Sequence, residues 1–456
     1  MKYPIQYKRL NPQRKEYQPM PDSDSILLTL NLKEKNIHFD ENYLSAEMVK
    51  GVRSLVYTGT LRTEVPDTCP VCGCARHGSS IVRWGTKASM IVLPQVSRMN
   101  AFLRLRKQRW RCHDCGHTFS SHTDIVRKNC FISENTRLCI ILDAKLKKSQ
   151  QDIASSLNVS HGTVNRLLQD TYSDFIVRKN YLPRHLCFDE FKSVKNSKGH
   201  MSFLFIDAEK GSVIDVLEDR RLPELIKYFS TYTKGARYAV QTVCMDMYTP
   251  YRELVRKMFP NAKIIIDRFH IIQLISRSLN QTRTAVMRQD SRNYRKFKRY
   301  WKLVLKNEDD LDDSTFKKFI CFKHLMRETD VVHYLVSLDP QLQASYELYQ
   351  DLLNAIKHRN PDRFFNACHN TSEHISGFMK KTVRSLLDHE EGIRNAMSYS
   401  FSNGIIEGTN NLIKVIKRIA FGYRSFVSFK IRILLITNTL VRFHNKRRGT
   451  FLVTSS

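Results

Sequence analysis

The sequence is short of acidic residues. Its 456 residues include 44 Asp and Glu against 74 Lys and Arg, which gives a formal net charge of +30 at pH 7. Such an excess favours polyanionic partners, because each basic group that lies near a phosphate releases a condensed counterion. The composition therefore predicts a nucleic acid partner.

Long apolar runs are also missing. No stretch of 18 or more apolar residues is present, so we expect no transmembrane helix and no membrane partner. The first residues, Met1 to Pro21, are polar and lack the apolar core that a signal peptide requires. These absences predict a cytoplasmic protein, in which the 11 cysteines are reduced or metal-bound rather than paired in disulfides.

Four cysteines are present as two C-x-x-C pairs, separated by 39 residues. Each pair can form a tight turn that points two thiolates at one ion, and two such turns complete a tetrahedral zinc site. Gly73 and Gly116 follow the pairs, as expected where the turn needs a positive φ. The predicted ligands of a structural Zn²⁺ are Cys69, Cys72, Cys112 and Cys115. Alternative ligands are Cys74, His77, His113 and His117, and a redox or structural thiol pair is the other interpretation.

A basic stretch lies between the cysteine pairs, where the long gap implies a hairpin. Residues 104–111 include five basic residues, and strand alternation would place Arg104, Arg106 and Trp110 on one face. Basic side chains interleaved with an aromatic ring suit a nucleic acid backbone. Arg104, Arg106 and Arg109 are therefore predicted to bind DNA, with a solvated edge strand as the alternative.

The segment after the cysteine pairs has the pattern of a helix-turn-helix. Ser133 is the predicted N-cap of a first helix, and Ser149 with Asp152 has the spacing of a capping box. Asn158 is expected in the left-handed turn, after which Ser160 would cap the next helix. The side chains predicted to face outward into a DNA major groove are His161, Thr163, Asn165 and Arg166. A helical pair that serves only packing is the alternative.

Short apolar runs alternate with turns from residue 184 to 270. The predicted order β-β-β-α-β-α-β fits a mixed sheet with helices packed on it, and three of these strands end in Asp189, Asp246 and Asp267. Carboxylates at neighbouring strand ends can converge on Mg²⁺, and two metals can hold both oxygens of an in-line phosphoryl displacement. Glu407, which opens an amphipathic helix, is the candidate third carboxylate. Solvated strand caps are the other interpretation.

The pattern becomes helical after residue 270. One helix is predicted to continue from Ile271 through residues 288–306, where eight basic residues accompany one acid. A long basic face of this kind would hold a DNA flank, so Arg295 and Arg299 are predicted to bind DNA. The alternative is a solvated helix face.

Five stretches together resemble the ISL-three (ISL3) group of bacterial insertion-sequence transposases, within the DDE superfamily. The first two are the cysteine ribbon and the helix-turn-helix. The others are Phe188-Asp-Glu-Phe-Lys192, residues 246–270 with their Asp-Arg-Phe-His end, and residues 402–423 with Asn-Gly-Ile-Ile-Glu near their start. The resemblance implies a ribonuclease-H-like mixed-sheet catalytic domain that carries a DDE triad. It also implies an all-helical insertion between the fifth strand and the helix that bears the glutamate.

The same resemblance implies the roles of the acidic residues. Asp189 would be the first member of the triad and Glu407 the third; Asp246 is our choice for the second, with Asp267 as the alternative. These residues would bind Mg²⁺ or Mn²⁺. Glu190 adjoins Asp189 but is expected to point to the opposite face of the sheet.

The resemblance implies a DDE transposase that binds the terminal inverted repeats of an insertion sequence. It would cleave double-stranded DNA and transfer the strand to a target, as a homodimer or a larger assembly. One alternative is a DNA-binding regulator with a zinc ribbon, a helix-turn-helix and a degenerate catalytic domain. Another is a structure-selective nuclease, which would cut without joining.

The predicted fold class is multidomain α/β. Further basic residues are expected to lie along DNA at Lys414, Lys417 and Arg418, and residues 446–448 form a basic tail. The predicted segments are an N-terminal arm and small strand/helix region (1–62), a zinc ribbon (63–122), a helix-turn-helix (131–178), a first part of the catalytic core (184–270), a helical insertion (271–398) and a second part of the core (399–446).

Overall fold

A computed structural model of the protein describes residues 23–173, 177–401, 404–437 and 439. The predicted basic tail at 446–448 and most of the N-terminal arm lie outside these residues. The chain divides into two compact units, Met1–Thr171 and Tyr172–Ser456. Within the described residues, no helix is long and apolar enough to cross a membrane.

The first unit combines a five-stranded sheet with short helices. Its strands are β1 (Ile37–Val49), β2 (Val52–Leu61), β3 (Ile81–Val96), β4 (Met99–Cys112) and β5 (Thr118–Ser120). Its helices are α1 (Ser23–Thr29), α2 (Glu134–Lys145), α3 (Gln150–Ser156) and α4 (His161–Ser173), of which the last two residues of α4 belong to the second unit.

The sheet of the first unit has the order β1-β2-β4-β3, and β5 pairs with β4. β2 and β4 are parallel, whereas β3 and β4 form the antiparallel hairpin expected between the cysteine pairs. The sheet therefore includes strands from both sides of the boundary that the sequence pattern places after residue 62. Leu103 and Leu105 of β4 are fully buried beside Ile91 of β3, and Ile26 of α1 belongs to the same core.

The predicted caps in the helix-turn-helix are confirmed. The hydroxyl oxygen of Ser133 accepts a hydrogen bond from the backbone N–H of Thr136, which caps α2. Ser149 and Asp152 form a reciprocal capping box at α3. Asn158 has a φ of 52°, so it supplies the left-handed turn before α4.

The second unit is built on another five-stranded sheet. Its strands are β6 (His185–Lys192), β7 (Met201–Asp207), β8 (Val213–Leu217), β9 (Thr242–Met245) and β10 (Lys263–Ile266). The helices along this part of the chain are α5 (Leu222–Ser230), α6 (Lys234–Tyr238) and α7 (Thr249–Met258).

The strand order β10-β9-β6-β7-β8 makes the sheet mixed, as predicted. β6, β9 and β10 are parallel, and β7 is antiparallel to both β6 and β8. α5 ends at Ser230, since Thr233 caps the separate helix α6, and β9 begins only at Thr242.

One face of this sheet is covered by α5 and α7 through aromatic packing. Phe188 of β6 lies 5.1 Å from Phe203 of β7 and 5.9 Å from Phe229 of α5, measured between ring centroids. Tyr251 of α7 and Phe259 complete the cluster around Phe188. Such offset and edge-to-face contacts add to the free energy of burial, and they fix β6 firmly in the centre of the sheet.

The helix predicted to continue through residue 306 ends at Gln289, and the insertion is not wholly helical, so both predictions are wrong. Its helices are α8 (Arg268–Gln289), α9 (Tyr294–Arg299), α10 (Trp301–Val304), α11 (Glu328–Val336), α12 (Pro340–Lys357), α13 (Pro361–His369), α14 (Gly377–Leu387) and α15 (Glu390–Ser398). Asp290 ends α8, because its carboxylate accepts the backbone N–H groups of Arg292 and Asn293. Two short antiparallel strands, β11 (Lys317–Lys318) and β12 (Leu325–Met326), interrupt the helices.

The insertion begins and ends on the same strand. α8 starts two residues after β10, and α15 packs back onto β10, where the side-chain amide of Asn395 donates a hydrogen bond to the carbonyl oxygen of Ile264 (2.8 Å). Gly392 makes this approach feasible, since a Cβ atom there would lie 2.7 Å from the side chain of Ile266.

The chain then forms α16 (Gly404–Ile419) and α17 (Phe426–Ile436), which pack on the other face of the sheet. Phe429 of α17 lies 6.0 Å from Phe191 of β6. Lys430 forms a 2.7 Å ion pair with Asp215 of β8, which also accepts a hydrogen bond from the hydroxyl of Tyr228. Both charged side chains are almost completely buried.

We expect Lys430→Met to lower the free energy of unfolding of the second unit by about 3–5 kcal/mol, because the variant leaves the carboxylate of Asp215 buried without its cation. Urea unfolding monitored by circular dichroism would measure the change. The exposed Lys414→Met is the matched control, with an expected effect within about 0.5 kcal/mol. A loss below about 1 kcal/mol for Lys430→Met would show that the pair does not hold α17 in place.

Candidate functional site

The carboxyl ends of the parallel strands place aspartates in one row. Cys187 of β6 is the register partner of Cys244 of β9, so the same register continued by two residues sets Asp189 beside Asp246. Ile266 of β10 is the partner of Met245, which sets Asp267 on the other side of Asp246. Registered residues of parallel strands point to the same face. The topology therefore gathers the first two predicted carboxylates and their alternative at one edge of the sheet.

Asp189 and Asp246 form a like-charge pair in a half-buried setting. The pKa of Asp189 is raised to about 6, chiefly by burial and to a smaller extent by the charges of Asp246 and Glu190, while the backbone N–H of Glu190 and the charge of His270 oppose the shift. The pKa of Asp246 is raised by burial and then by the charge of Glu190. Two neighbouring carboxylates that are both hard to ionise are stabilised in their charged form by a cation.

Glu190 points to the opposite face of the sheet, as predicted, but it still acts on the site electrostatically. Its carboxylate is held by the guanidinium of Arg220 and accepts a hydrogen bond from the hydroxyl of Tyr251 (3.3 Å). Burial raises the pKa of Tyr251, so its hydroxyl stays a neutral donor. Arg220 carries no signal in the sequence that would have marked it as part of the site.

The helix α16 reaches the row of aspartates through Asn410. The side-chain amide of Asn410 donates a hydrogen bond of 2.7 Å to the carboxylate of Asp189. Glu407 lies one turn earlier on the same helix face, because residues three apart are neighbours on a helix. Its side chain is exposed. The role of Asn410 was missed, although it follows Glu407 at a spacing that would have indicated it.

The three predicted acidic ligands are not gathered closely. A metal ion can be held by three or more His, Cys, Asp or Glu side chains whose ligand atoms all lie within 4.8 Å of one another. Among the described residues, the four cysteines of the first unit meet this criterion. Asp189, Asp246 and Glu407 are therefore more widely spaced than that.

Asp267 occupies a different environment from Asp246. It is buried, its backbone N–H continues the β9–β10 pairing by donating to the carbonyl of Met245, and it immediately precedes α8. One carboxylate oxygen lies 4.0 Å from the Nε2 atom of His270. The neighbours of Asp267 thus belong largely to the junction between the sheet and the insertion.

Basic residues follow Glu407 along α16. Lys417 is half-buried and donates hydrogen bonds from Nζ to the carbonyl oxygens of Lys192 and Ser193, so it fastens the helix to the end of β6. Lys414 and Arg418 are exposed. Of these three predicted DNA contacts, Lys417 is thus engaged within the protein.

In the first unit, the four predicted cysteine ligands converge. The Sγ atoms of Cys69 and Cys115 are 3.8 Å apart and those of Cys72 and Cys112 are 3.9 Å apart. A tetrahedron with Zn–S bonds of about 2.3 Å sets its sulfur atoms about 3.8 Å apart, whereas a disulfide bond is about 2.0 Å long. The cluster has the dimensions of a tetrahedral thiolate site.

Both cysteine turns have the same backbone. The N–H of Gly73 donates to the carbonyl of Cys69 and the N–H of Gly116 to that of Cys112, each at 2.9 Å. The φ angles of the two glycines are 74° and 73°. Within the cluster, chiefly the backbone N–H of Cys72 lowers the pKa of the Cys69 thiol to about 7, whereas burial and the neighbouring thiols raise the pKa values of Cys112 and Cys115.

Trp110 does not interleave with the basic side chains of β4 on the surface, so that prediction is wrong. It is fully buried in a small core with Cys69, Ile81 and Cys112, and its indole N–H donates to the hydroxyl of Ser121. The exposed aromatic residue of this hairpin is Trp84, which the sequence analysis overlooked. The guanidinium of Arg111 lies 4.6 Å from its ring centroid.

The β3–β4 hairpin is uniformly basic. Residues 81–112 contain eight Lys and Arg and no Asp or Glu. Arg106 is exposed and Arg109 is half-buried, with one guanidinium nitrogen donating to Thr118. Arg104 is paired with Glu47 of β1 through two hydrogen bonds, so its charge is largely compensated.

The start of α4 presents the predicted residues unequally. His161 and Arg166 are exposed, whereas Thr163 and Asn165 are half-buried. The opposite face is closed by three fully or nearly fully buried side chains, which are Val164, Leu167 and Leu168. In the second unit, the predicted Arg295 and Arg299 are both exposed on α9.

Comparisons with known proteins find related sequences. A sequence profile of the DDE transposases of the ISL3 group, described as Transposase, matches residues 186–433, more than half of the chain. The transposase for insertion sequence element IS1001 of Bordetella parapertussis is 26% identical over 264 residues, which is 55% of this chain and 60% of that protein.

A protein of Lactococcus lactis subsp. lactis named ATP-dependent protease is 40% identical over 124 residues, which is 27% of this chain and 39% of that protein. The chain thus spans less than two thirds of the length of these curated relatives. The Drosophila P element transposase strand transfer complex aligns with 68% of this chain and 93% of that chain at 12% identity, with a TM-score of 0.31. A score this low carries no argument about the fold.

Without metal, we expect Asp189→Asn to raise the melting temperature at pH 8 by about 2–4 °C and to lose this advantage towards pH 4. The folded state retains the proton of Asp189 up to about pH 6, whereas the unfolded carboxyl releases it near pH 4. Folding is therefore disfavoured as the pH rises through this window, and the penalty persists above pH 6. Because Asn does not titrate, the variant is free of this penalty on folding.

Thermal unfolding of both proteins in chelator at pH 4, 6 and 8 would measure this difference. Glu253→Gln, which changes an exposed carboxylate of α7, is the matched control. An equal difference in melting temperature at pH 4 and pH 8 would contradict the raised pKa of Asp189.

Proposed function

Because the chain belongs to the ISL3 family of DDE transposases, we propose that it cleaves the ends of an insertion sequence and transfers them to target DNA in metal-dependent steps. The observation that carries the proposal is the row formed by Asp189 and Asp246, against which Asn410 holds the helix of Glu407. The family match spans all of these residues.

The proposed catalytic fold is ribonuclease-H-like. In its support, the sheet has its first strand, β6, in the centre, the parallel strands β9 and β10 on one side, and on the other side β7, which is antiparallel to both β6 and β8. Asp189 belongs to the central strand and Asp246 follows the adjacent parallel strand. An insertion of helices separates the fifth strand from the helix of Glu407.

Asp189, Asp246 and Glu407 are proposed to hold Mg²⁺ or Mn²⁺. Their oxygen donors suit these hard cations, and the raised pKa values of the two aspartates are what a cation between them would offset. Bound metal would activate the attacking water or 3′-OH and stabilise the leaving oxygen of the phosphodiester.

The side chains around the metal ligands have separate tasks in this proposal. Asn410 orients one carboxylate oxygen of Asp189. Arg220 neutralises Glu190 and so limits its repulsion of Asp246. Asp246 is preferred to Asp267 as the second ligand, because Asp267 is buried at the junction with α8.

The first unit is proposed to bind the element ends. A structural Zn²⁺ held by the four cysteines would fix the β3–β4 hairpin, whose charge favours phosphate contacts that do not depend on sequence. His161, Thr163, Asn165 and Arg166 at the start of α4 would read base edges. Synapsis of two ends would require a dimer or a larger assembly.

The sequence offers no support for the activity in the name of the lactococcal relative, because it contains no Gly-Lys pair and hence no phosphate-binding loop of the G-x-x-x-x-G-K form.

We expect Asp189→Ala, Asp246→Ala and Glu407→Ala each to reduce cleavage about 100-fold or more, because each removes a ligand of metals that supply several kcal/mol of transition-state stabilisation. The assay combines protein, Mg²⁺ and DNA carrying the inverted repeats that flank the gene, and gels report nicked and joined products. Binding of the same DNA, measured by fluorescence anisotropy, should stay within about twofold of wild type.

Other results would point elsewhere. If Asp189→Ala and Glu407→Ala cut as well as wild type, the proposed triad is wrong. Cleavage that fails in Asp267→Asn but persists in Asp246→Asn would exchange the roles of these two residues. Binding without any cleavage by wild type would favour the regulator, and cutting without joining would favour the nuclease.

We expect wild type to contain about one zinc per chain and Cys112→Ser to lose it, since three thiolates leave the tetrahedral site incomplete. Cys74→Ser, which changes an exposed cysteine outside the cluster, is the matched control and should retain the metal. Elemental analysis would measure the zinc content. In a Trp84→Phe/Trp301→Phe background, chelation should shift the emission of Trp110 to the red as its core opens.

Two results would contradict the zinc assignment. Full zinc content in Cys112→Ser, or wild type without zinc that binds the repeats normally, would show that the cysteine cluster is not a structural metal site.

A further inference from the structure

The short hairpin of β11 and β12 displays three large apolar side chains to solvent. Phe316, Ile320 and Leu325 are 59%, 56% and 61% exposed. Single exposed apolar residues are ordinary, but three within eleven residues of one hairpin form a patch. Patches of this kind indicate contact with another molecule.

The exposure is not caused by loose packing, because aromatic anchors hold the hairpin. The hydroxyl of Tyr300 donates a hydrogen bond to the carbonyl of Ile320 (2.7 Å), and its ring lies 5.5 Å from that of Phe319. Phe322 packs edge-on against Tyr334 at 5.3 Å. The side chains of Phe319 and Phe322 thus hold the hairpin against the helices, while those of Phe316, Ile320 and Leu325 are exposed.

The hairpin is also basic. Residues 316–326 contain Lys317, Lys318 and Lys323 and no acidic residue. Lys317 is paired with Asp312, while Lys318 and Lys323 are exposed. An apolar patch flanked by lysines suits a ligand that has both apolar surfaces and negative charge, and nucleic acid has both.

Acidic residues near the hairpin offset part of this charge, and Asp313 is exposed three residues before Phe316. Asp312 pairs with Lys317, Glu328 with Lys306, and Asp330 with the guanidinium of Arg327. The pKa of each of these three carboxyls is lowered, chiefly by its hydrogen bond to the basic partner. They therefore remain charged and engaged at neutral pH.

The helices before the hairpin repeat the same composition. Tyr294 and Trp301 are each about 40% exposed, with Nζ of Lys298 5.9 Å from the first ring and Nζ of Lys302 5.7 Å from the second. Tyr300, which lies between them in sequence, supports the hairpin itself.

We propose that residues 316–326 form a wedge that distorts double-stranded DNA. Phe316, Ile320 and Leu325 pack against bases that they partly unstack, as apolar side chains of DNA-bending proteins do. Lys318 and Lys323 hold the flanking phosphates. This inference rests on the proposed function and deepens it, since it assigns the opening of the duplex to a defined surface of the insertion.

The test uses the full-length chain and a 40-base-pair duplex with the terminal repeats, in which 2-aminopurine replaces one base at a time. Wild type should raise the fluorescence at one or two adjacent positions, because unstacking relieves quenching. In the variant Phe316→Ser/Ile320→Ser/Leu325→Ser, this rise in fluorescence should be at least about fourfold smaller than in wild type. It should also bind about fivefold more weakly, as expected when stacking contacts are removed.

Two matched variants separate the contributions. Phe378→Ser, which changes an exposed aromatic residue of α14, should behave as wild type. Lys318→Glu/Lys323→Glu should weaken binding and reduce the slope of log affinity against log salt by about 2. Equal melting temperatures establish folding, and Ile320→Ser alone replaces the triple variant if that one is destabilised.

Each result decides between distinct conclusions. If the serine variant unstacks and binds DNA as wild type does, while wild type still cleaves the repeats, the wedge is wrong and the proposed function stands. If the serine variant loses only self-association in sedimentation, the hairpin is an interface between copies and the wedge is wrong. If wild type neither binds nor cleaves DNA, the proposed function fails together with the wedge.

Discussion

The parallel pairing of β6 and β9 is the constraint on which the second unit depends. It holds Asp189 beside Asp246 at a separation that the backbone fixes, whatever the mutual repulsion of the two carboxylates. The aromatic cluster around Phe188 supplies the packing that holds this pairing in place, because it fastens α5 and α7 to the same central strand. A charged site is thus supported by an apolar layer on the opposite face of the sheet.

The helix of Glu407 is joined to that strand at two points. Asn410 contacts Asp189, and Lys417 contacts the backbone just where β6 ends. The position of the third carboxylate therefore follows from contacts made by its neighbours, while its own side chain remains exposed and able to adjust. In the proposed metal site, the backbone would therefore be preorganised, and the exposed side chain of Glu407 would complete the set of ligands.

Local patterns in the sequence predicted local features well. The caps at Ser133 and Ser149, the turn at Asn158 and the two cysteine turns follow from short-range chemistry, and the structure has them. The strand order along the chain was also predictable, since each apolar run is bounded by turn residues. Pairing between distant segments could not be predicted in this way. The parallel pairing of β2 with β4 and the hydrogen bond between Asn410 and Asp189 are therefore seen only in the structure.

The wrong predictions concern sequence patterns that are compatible with two different structures. Trp110 alternates with basic residues along β4, a pattern that is common to a surface stripe and to a buried edge of the cysteine core. The helix through residue 306 was extended across Asp290, whose side-chain hydrogen bonds to the backbone outweigh the continuing periodicity. The strands β11 and β12 are two residues long, too short for alternation to show.

The insertion leaves the sheet at β10 and returns to it through α15, which packs on the same strand. Both ends of the insertion are therefore anchored at β10, and the rest of it extends away from the sheet of the second unit. Length changes inside the insertion leave the spacing between Asp246 and Glu407 in space unaltered, however far apart they become in sequence. A change of length within the insertion is accordingly compatible with an unchanged site, and the proposed DNA-binding hairpin of β11 and β12 lies within this variable part of the fold.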